Sequence, residues 1–91
     1  MAYRVIVLPS AEEDLERLDS DVRRRVLRRI AWLGENASEI IHHRLASLPD
    51  DLSGLCRLRL GDNRILYWAY PQRRLLKIYR VQHRREVYRQ L

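Results

Sequence analysis

The sequence predicts an α+β domain, a two-helix hairpin packed on a mainly antiparallel four-stranded sheet, in the order β-α-α-β-β-β with a short C-terminal element. Three observations carry this expectation. Tyr3–Leu8 is a β-branched, apolar run stopped by Pro9. Two stretches of helical periodicity follow, as far as Gly34. Beyond Gly54, three strand-like runs are joined by connections of two and four residues, short enough only for antiparallel neighbours.

The elements follow in order. Ser10 is the expected N-cap of the first helix, with Glu13 completing a capping box. Glu12, Glu13 and Asp14 suit the positive end of its dipole. Ala11, Leu15 and Leu18 share its apolar face, so the helix is expected to end near Leu18, and Asp19-Ser20-Asp21 caps a second one. That second helix carries Val22, Val26, Leu27, Ile30 and Leu33 as its apolar stripe and ends near Gly34. Arg23, Arg24, Arg25, Arg28 and Arg29 fill the remaining positions and read as a solvated face. Periodicity is lost between Glu35 and Ser53, with a helical turn allowed around Ile40–Leu45. Leu55–Leu60, Asn63–Tyr70 and Leu75–Gln82 then form a meander, and the tail from Arg84 to Leu91 suits either a strand or a short helix.

Ninety-one residues fit one domain, 1–91, burying about 60–65% of the unfolded surface. The apolar runs are too short to span a membrane, and the N-terminus carries no signal-peptide pattern, so a cytoplasmic location and no membrane partner are expected. A single cysteine, Cys56, gives no intramolecular disulfide. His42 and His43 have no cysteine or carboxylate at ligand spacing, so neither a zinc site nor any other cofactor is expected.

Charge is unevenly placed. Residues 1–50 carry 8 basic and 9 acidic side chains; residues 51–91 carry 10 basic and 3 acidic. Lys77 is the one lysine among 18 basic residues. A basic half built from arginine, whose planar fork makes bidentate phosphate contacts, points to a polyanion ahead of an acidic protein.

The stretch CRLRLGDNRILY concentrates that charge. With Gly61-Asp62 as a two-residue turn, Leu60 faces Asn63 and Arg59 lies opposite Arg64, with Arg57 on the same face. Like charges directly opposite are destabilising, so an external anion is the simplest partner. The last strand runs back so that His83, Arg84 and Tyr88 return near this end. Imidazole is the side chain suited to proton transfer near neutral pH, which makes His83 the leading acid/base candidate; Tyr88 can stack on a base, donate to a phosphate or pack against the sheet.

The motif from Gly54 to Tyr67, His43-Arg44-Leu45, and the close His83-Arg84-Arg85-Glu86-Val87-Tyr88 resemble the RelE/ParE superfamily of bacterial toxins, over the whole chain. The resemblance implies the toxin of a type II toxin–antitoxin system. In its RelE-like branch the activity is ribosome-dependent, metal-independent cleavage of mRNA in the A site. There the ribose 2′-OH attacks phosphorus to leave a 2′,3′-cyclic phosphate and a 5′-OH. It implies roles for Arg57 and Arg59 as the basic strand pair, Arg64 and Arg84 as phosphate contacts, and Tyr88 as the closing tyrosine. The better-known members carry lysine where this chain has Arg57 and Arg59, and an always-protonated arginine is a poor base. The proton then falls to His83, Tyr88 or Glu86. The ParE-like branch, which poisons DNA gyrase without nuclease chemistry, is the alternative, and an inert nucleic-acid-binding module the third reading. The resemblance also implies a cognate acidic antitoxin that folds on binding, in an oligomeric complex that binds operator DNA through the antitoxin.

Overall fold

The computed structural model describes residues 2–86. Strand β1 (Arg4–Val7) leads to helices α1 (Pro9–Glu16) and α2 (Ser20–Asn36), then to β2 (Cys56–Leu60), β3 (Asn63–Tyr70) and β4 (Leu75–His83). The sheet order is β1-β4-β3-β2. The meander is antiparallel as expected, while β1 pairs parallel to β4, Arg4 opposite Leu75 through Val7 opposite Ile78. Two helices lie between β1 and its partner, which is the length a parallel crossover needs.

Side-chain alternation divides the sheet. One face gives Cys56, Ile65, Tyr67, Leu76, Ile78 and Val81 to the main core, against Ala11, Leu15, Val26, Ile30 and Leu33 of the helices. The other face carries a smaller cluster in which Leu55 and Leu66 are buried beneath Leu45, Leu48, Trp68 and Tyr79. Between Tyr67, opposite Ile78, and Leu66, opposite Arg80, β4 has one extra residue, Tyr79. That bulge resets the alternation, so Ile78 and Val81 enter the same core although three positions apart.

Several expectations are corrected. Ser10 is not an N-cap: Pro9 occupies the first turn after Leu8, where its missing N–H costs nothing, and Ser10 Oγ donates instead to the Tyr79 carbonyl at 2.6 Å. The second helix runs through Gly34, which admits β1: a Cβ there would lie 2.7 Å from Val5 Cγ2. The stretch near Ile40–Leu45 is extended, with Arg44 bridged to Cys56 and the Leu45 and Arg57 amides donating to Leu55 and His43 carbonyls. It covers the first part of the β2 edge. The tail begins as helix at 84–86.

Candidate nucleic-acid interface

The hairpin register is the expected one: Leu60 faces Asn63 and Arg59 faces Arg64, around the Gly61-Asp62 turn. Gly61 has φ 58°, the left-handed conformation that a type II′ turn needs at its first central residue and that glycine adopts without strain. Alternation therefore sets Arg57, Arg59 and Arg64 on the face away from the helices, beside the Leu55–Leu66 cluster.

The turn is gripped from two sides. Arg64 Nη1 donates to the carbonyls of Gly61 (2.8 Å) and Asn63 (2.9 Å). The Arg84 amide donates to the Asp62 carbonyl at 2.8 Å, and Arg84 Nε lies 3.8 Å from Asp62 Oδ1. Arg84 thus stands at the same turn as Arg64, held there by backbone rather than by its weak, exposed ion pair.

His83 is placed differently. It pairs with Asn63, next to Arg64 along β3, but on the helix side of the sheet, where it borders a cleft with Asp14, Arg17 and Leu18 of α1. Its Nδ1 accepts the Arg85 amide at 3.2 Å, so the neutral ring carries its proton on Nε2 and offers a donor. Gln82, buried, is the β4 residue that faces Arg64. The structure therefore unites Arg57, Arg59, Arg64 and Arg84 at one end of the hairpin and sets His83 across the sheet from them. Tyr88, with Val87, lies outside the described residues. Glu86 stands on the His83 side.

Sequence reasoning missed the latch that positions this end of β4. Asp14, nearly buried, accepts from Arg80 Nε (2.8 Å), Arg80 Nη2 (3.1 Å) and the Val81 amide (2.9 Å). The carboxylate takes the place of a missing strand, because β1 stops at the level of Ile78 and leaves the β4 edge beyond it open. The hydrogen bond that Arg80 donates to Asp14 holds its guanidinium still more firmly protonated than an ordinary arginine. A second buried polar pair supports β3. His42 Nε2 meets the Ala37 carbonyl (2.8 Å), which fixes Nδ1 as acceptor of the Tyr67 hydroxyl at 2.6 Å. Burial, and then the neighbouring Cys56, push the Tyr67 phenol well above its usual value; burial also raises the Cys56 thiol, against the Arg44 charge.

An antiparallel hairpin whose arginines lie on one face, backed by a helical pair on the other, defines a RelE-like toxin fold. Solved structures agree. The chain is similar to the toxin–antitoxin complex RelBE2 of Mycobacterium tuberculosis, with 24% identity, 91% of this chain and 92% of that one covered, and a TM-score of 0.76. A mutant of Escherichia coli RelE in the free state matches with 20% identity over 98% and 93% of the two chains, TM-score 0.72. The archaeal RelE–RelB complex of Pyrococcus horikoshii matches with 26% identity over 92% and 97%, TM-score 0.69. No curated protein sequence matches the chain. The family model described as the ParE toxin of type II toxin–antitoxin systems matches residues 5–88, and the chain belongs to that family, within the RelE/ParE superfamily.

Proposed function

We propose that this toxin is a ribosome-dependent mRNA endonuclease whose arginine face holds the scissile phosphate. The observation that supports it most is the opposition of Arg59 and Arg64 across a rigid two-residue hairpin, with Arg57 on the same face and Arg84 at the same turn. Such an array offers several guanidinium forks to an anion with two or more accessible oxygens. The 2′-oxygen attacks phosphorus, the P–O5′ bond breaks, and a 2′,3′-cyclic phosphate and a 5′-hydroxyl result. The hydroxyl proton passes through solvent to the departing 5′-oxygen. The pentacovalent transition state gains negative charge, and strand-mounted donors stabilise it without reorganising. His83 contributes as a hydrogen-bond donor at the rim of the sheet, and Tyr88, the closing tyrosine of the motif, stacks on a base.

A cognate acidic antitoxin is the natural partner in this reading: the solved relatives include complexes with RelB antitoxins, and residues 51–91 carry a surplus of seven positive charges. In the cytoplasm the complex is proposed to be oligomeric and to bind operator DNA through that antitoxin.

Inhibition of DNA gyrase is the second reading, favoured by the matching family model and by the place of His83 on the face opposite Arg57, Arg59 and Arg64. One experiment separates the two. Purified toxin is added to translating ribosomes and, separately, to gyrase with relaxed plasmid. The first reading expects mRNA cut within codons only when ribosomes are present. Blocked supercoiling with intact mRNA would overturn it.

A further inference from the structure

The arginine run of α2 is not uniform. Arg23 donates to the carbonyls of Leu15 (2.8 Å), Glu16 (3.2 Å) and Leu18 (2.9 Å), closing the end of α1. Arg24 is paired with Asp21 at 2.6 Å. Arg25, Arg28 and Arg29 make no ion pair among the described residues; the ion pairs there involve Arg24, Arg80 and Arg84. These three, with Trp32, fall at i, i+3, i+4 and i+7, one face of the helix.

That face leads to the hairpin. Arg25, Arg28, Arg29 and Trp32 line a shallow depression with Leu60 of β2. Arg29 also forms the wall of an adjoining cleft with His43, Arg57 and Arg59, where the β2 edge is no longer covered by the 43–45 segment. Arg25 Nη2 would lie 3.7 Å from a Cβ on Gly61, so the far end of the stripe touches the same turn that Arg64 and Arg84 grip. The Arg29 guanidinium lies 4.2 Å above the Trp32 ring, and its Nε is buried with no hydrogen-bond partner. A donor in that state is destabilising until an acceptor arrives. Trp32 is meanwhile one of the few large apolar side chains left at the surface.

We propose that the α2 stripe of Arg25, Arg28, Arg29 and Trp32 is a second RNA contact, taking the backbone phosphates next to the one held by Arg59 and Arg64. This rests on the endonuclease reading and names the path of its substrate. Three guanidiniums spaced along two helical turns track successive phosphates of a single strand. The Arg29–Trp32 stack gives a flat, cationic platform on which a neighbouring base can lie. An acidic protein helix would suit the charges but would leave the shared Arg29–Arg57–Arg59 cleft unexplained, because that cleft continues into the face that holds the reacting phosphate.

The test uses a 2′-O-methyl RNA dodecamer, in which attack by the 2′-oxygen is blocked, so that binding is read apart from cleavage. Affinity is measured from 50 to 300 mM salt for the Trp68→Phe protein, whose remaining tryptophan, Trp32, reports contact by its fluorescence. Wild-type α2 is expected to show Trp32 quenching, and the triple change Arg25→Gln, Arg28→Gln, Arg29→Gln to lower the log K against log salt slope by about 2, at about 0.7 per lost phosphate contact. Arg24→Gln removes the same charge from the same helix but from a residue paired with Asp21, and is expected to leave the slope unchanged. Thermal unfolding confirms that each variant is folded. An unchanged slope in the triple variant overturns the inference, as does an equal loss in Arg24→Gln, which would mean net charge alone. Loss of binding to an acidic antitoxin with RNA binding intact overturns it too, and assigns the stripe to a protein. If the RNA binds neither wild type nor any variant, the α2 contact is overturned, while the endonuclease reading stands or falls on cleavage in the presence of ribosomes.

Discussion

Arg80 on β4 meets Asp14 through two side-chain hydrogen bonds, whereas Arg59, at the opposite edge of the same sheet, faces Arg64 across the hairpin. The residue type is the same, and so is the rigidity of the strands. What differs is the reach of a carboxylate. Asp14 arrives from α1 into a site that is nearly closed to water, satisfies Arg80, and accepts the Val81 amide besides. At the turn beside the arginine face the acid is Asp62, which is exposed and lies 3.8 Å from Arg84. An arginine that has found an internal acid holds the fold, while Arg59 and Arg64 stand face to face across the hairpin.

The comparison is broken most sharply by removing the opposed pair. Arg59→Ala with Arg64→Ala is expected to lower mRNA cleavage on ribosomes by at least about 100-fold, the usual cost of losing a preorganised transition-state donor. The unfolding midpoint is expected to move little, since the repulsion that is relieved offsets the two bonds that Arg64 gives to the turn carbonyls. Equal loss of stability and activity would mean that these arginines are structural after all, like Arg80.

The converse change acts on the fold. Asp14→Ala leaves Arg80 and the Val81 amide without their acceptor and is expected to cost about 3 kcal/mol, read from urea unfolding at neutral pH. Arg80 keeps some access to water, which moderates the penalty. Activity per folded molecule is expected to survive at low temperature, because the arginine face is held by the β2–β3 turn and not by α1.

The two regions also differ in how much of them the sequence reveals. The hairpin is local: strict alternation in Cys56–Leu60, a glycine at the one position that needs positive φ, and leucines that would otherwise be exposed leave a single register. Arg59 and Arg64 could therefore be paired from sequence alone. The latch is non-local. Asp14 and Arg80 are 66 residues apart, and an acid in the first helix reads equally well as a dipole partner. Ser10 misled for the same reason. As a cap it matches the local pattern, but its hydroxyl goes to Tyr79, on the edge that β1 leaves open. The sequence brings His83 back to the Arg64 end of the hairpin, and the structure adds the face on which it stands, that of the helices. The bulge at Tyr79 shifts which residues of β4 face the helices, and nothing in the run Leu75–Gln82 signals an extra residue.

Alkaline pH sharpens the contrast further, through two groups on the buried side. The Tyr67 phenol and the Cys56 thiol both ionise less readily in the folded chain, chiefly through burial. A group whose value is raised on folding contributes stability that is complete below its unfolded value and is lost as pH rises past it. Their ordinary values are 10.0 and 9.0, so the loss starts near pH 9 and deepens above 10, at up to about 1.4 kcal/mol per pH unit for each group. Thermal unfolding between pH 8 and 11 is expected to fall more gently for Tyr67→Phe than for wild type. Parallel curves would mean that His42 does not keep the phenol protonated and in place.

The smallest effect is expected at His83. Were the ring a proton carrier for the arginine face, His83→Gln would remove general acid–base catalysis, usually worth 100-fold or more. Its position beside Asn63, on the α1 side, argues instead for a donor at the rim, with Nδ1 already taken by the Arg85 amide. A glutamine can present an amide N–H in place of Nε2–H, so the loss is expected to stay under about 10-fold, the scale of one hydrogen bond. The pH–rate profile decides between the two. A donor leaves its shape unchanged in the variant, and a proton carrier removes the limb near neutrality. Should that limb vanish, the RNA must fold around the end of the sheet to reach both faces. The reacting phosphate would then sit over the Gly61-Asp62 turn, where Arg64 and Arg84 stand, instead of over Arg57 and Arg59.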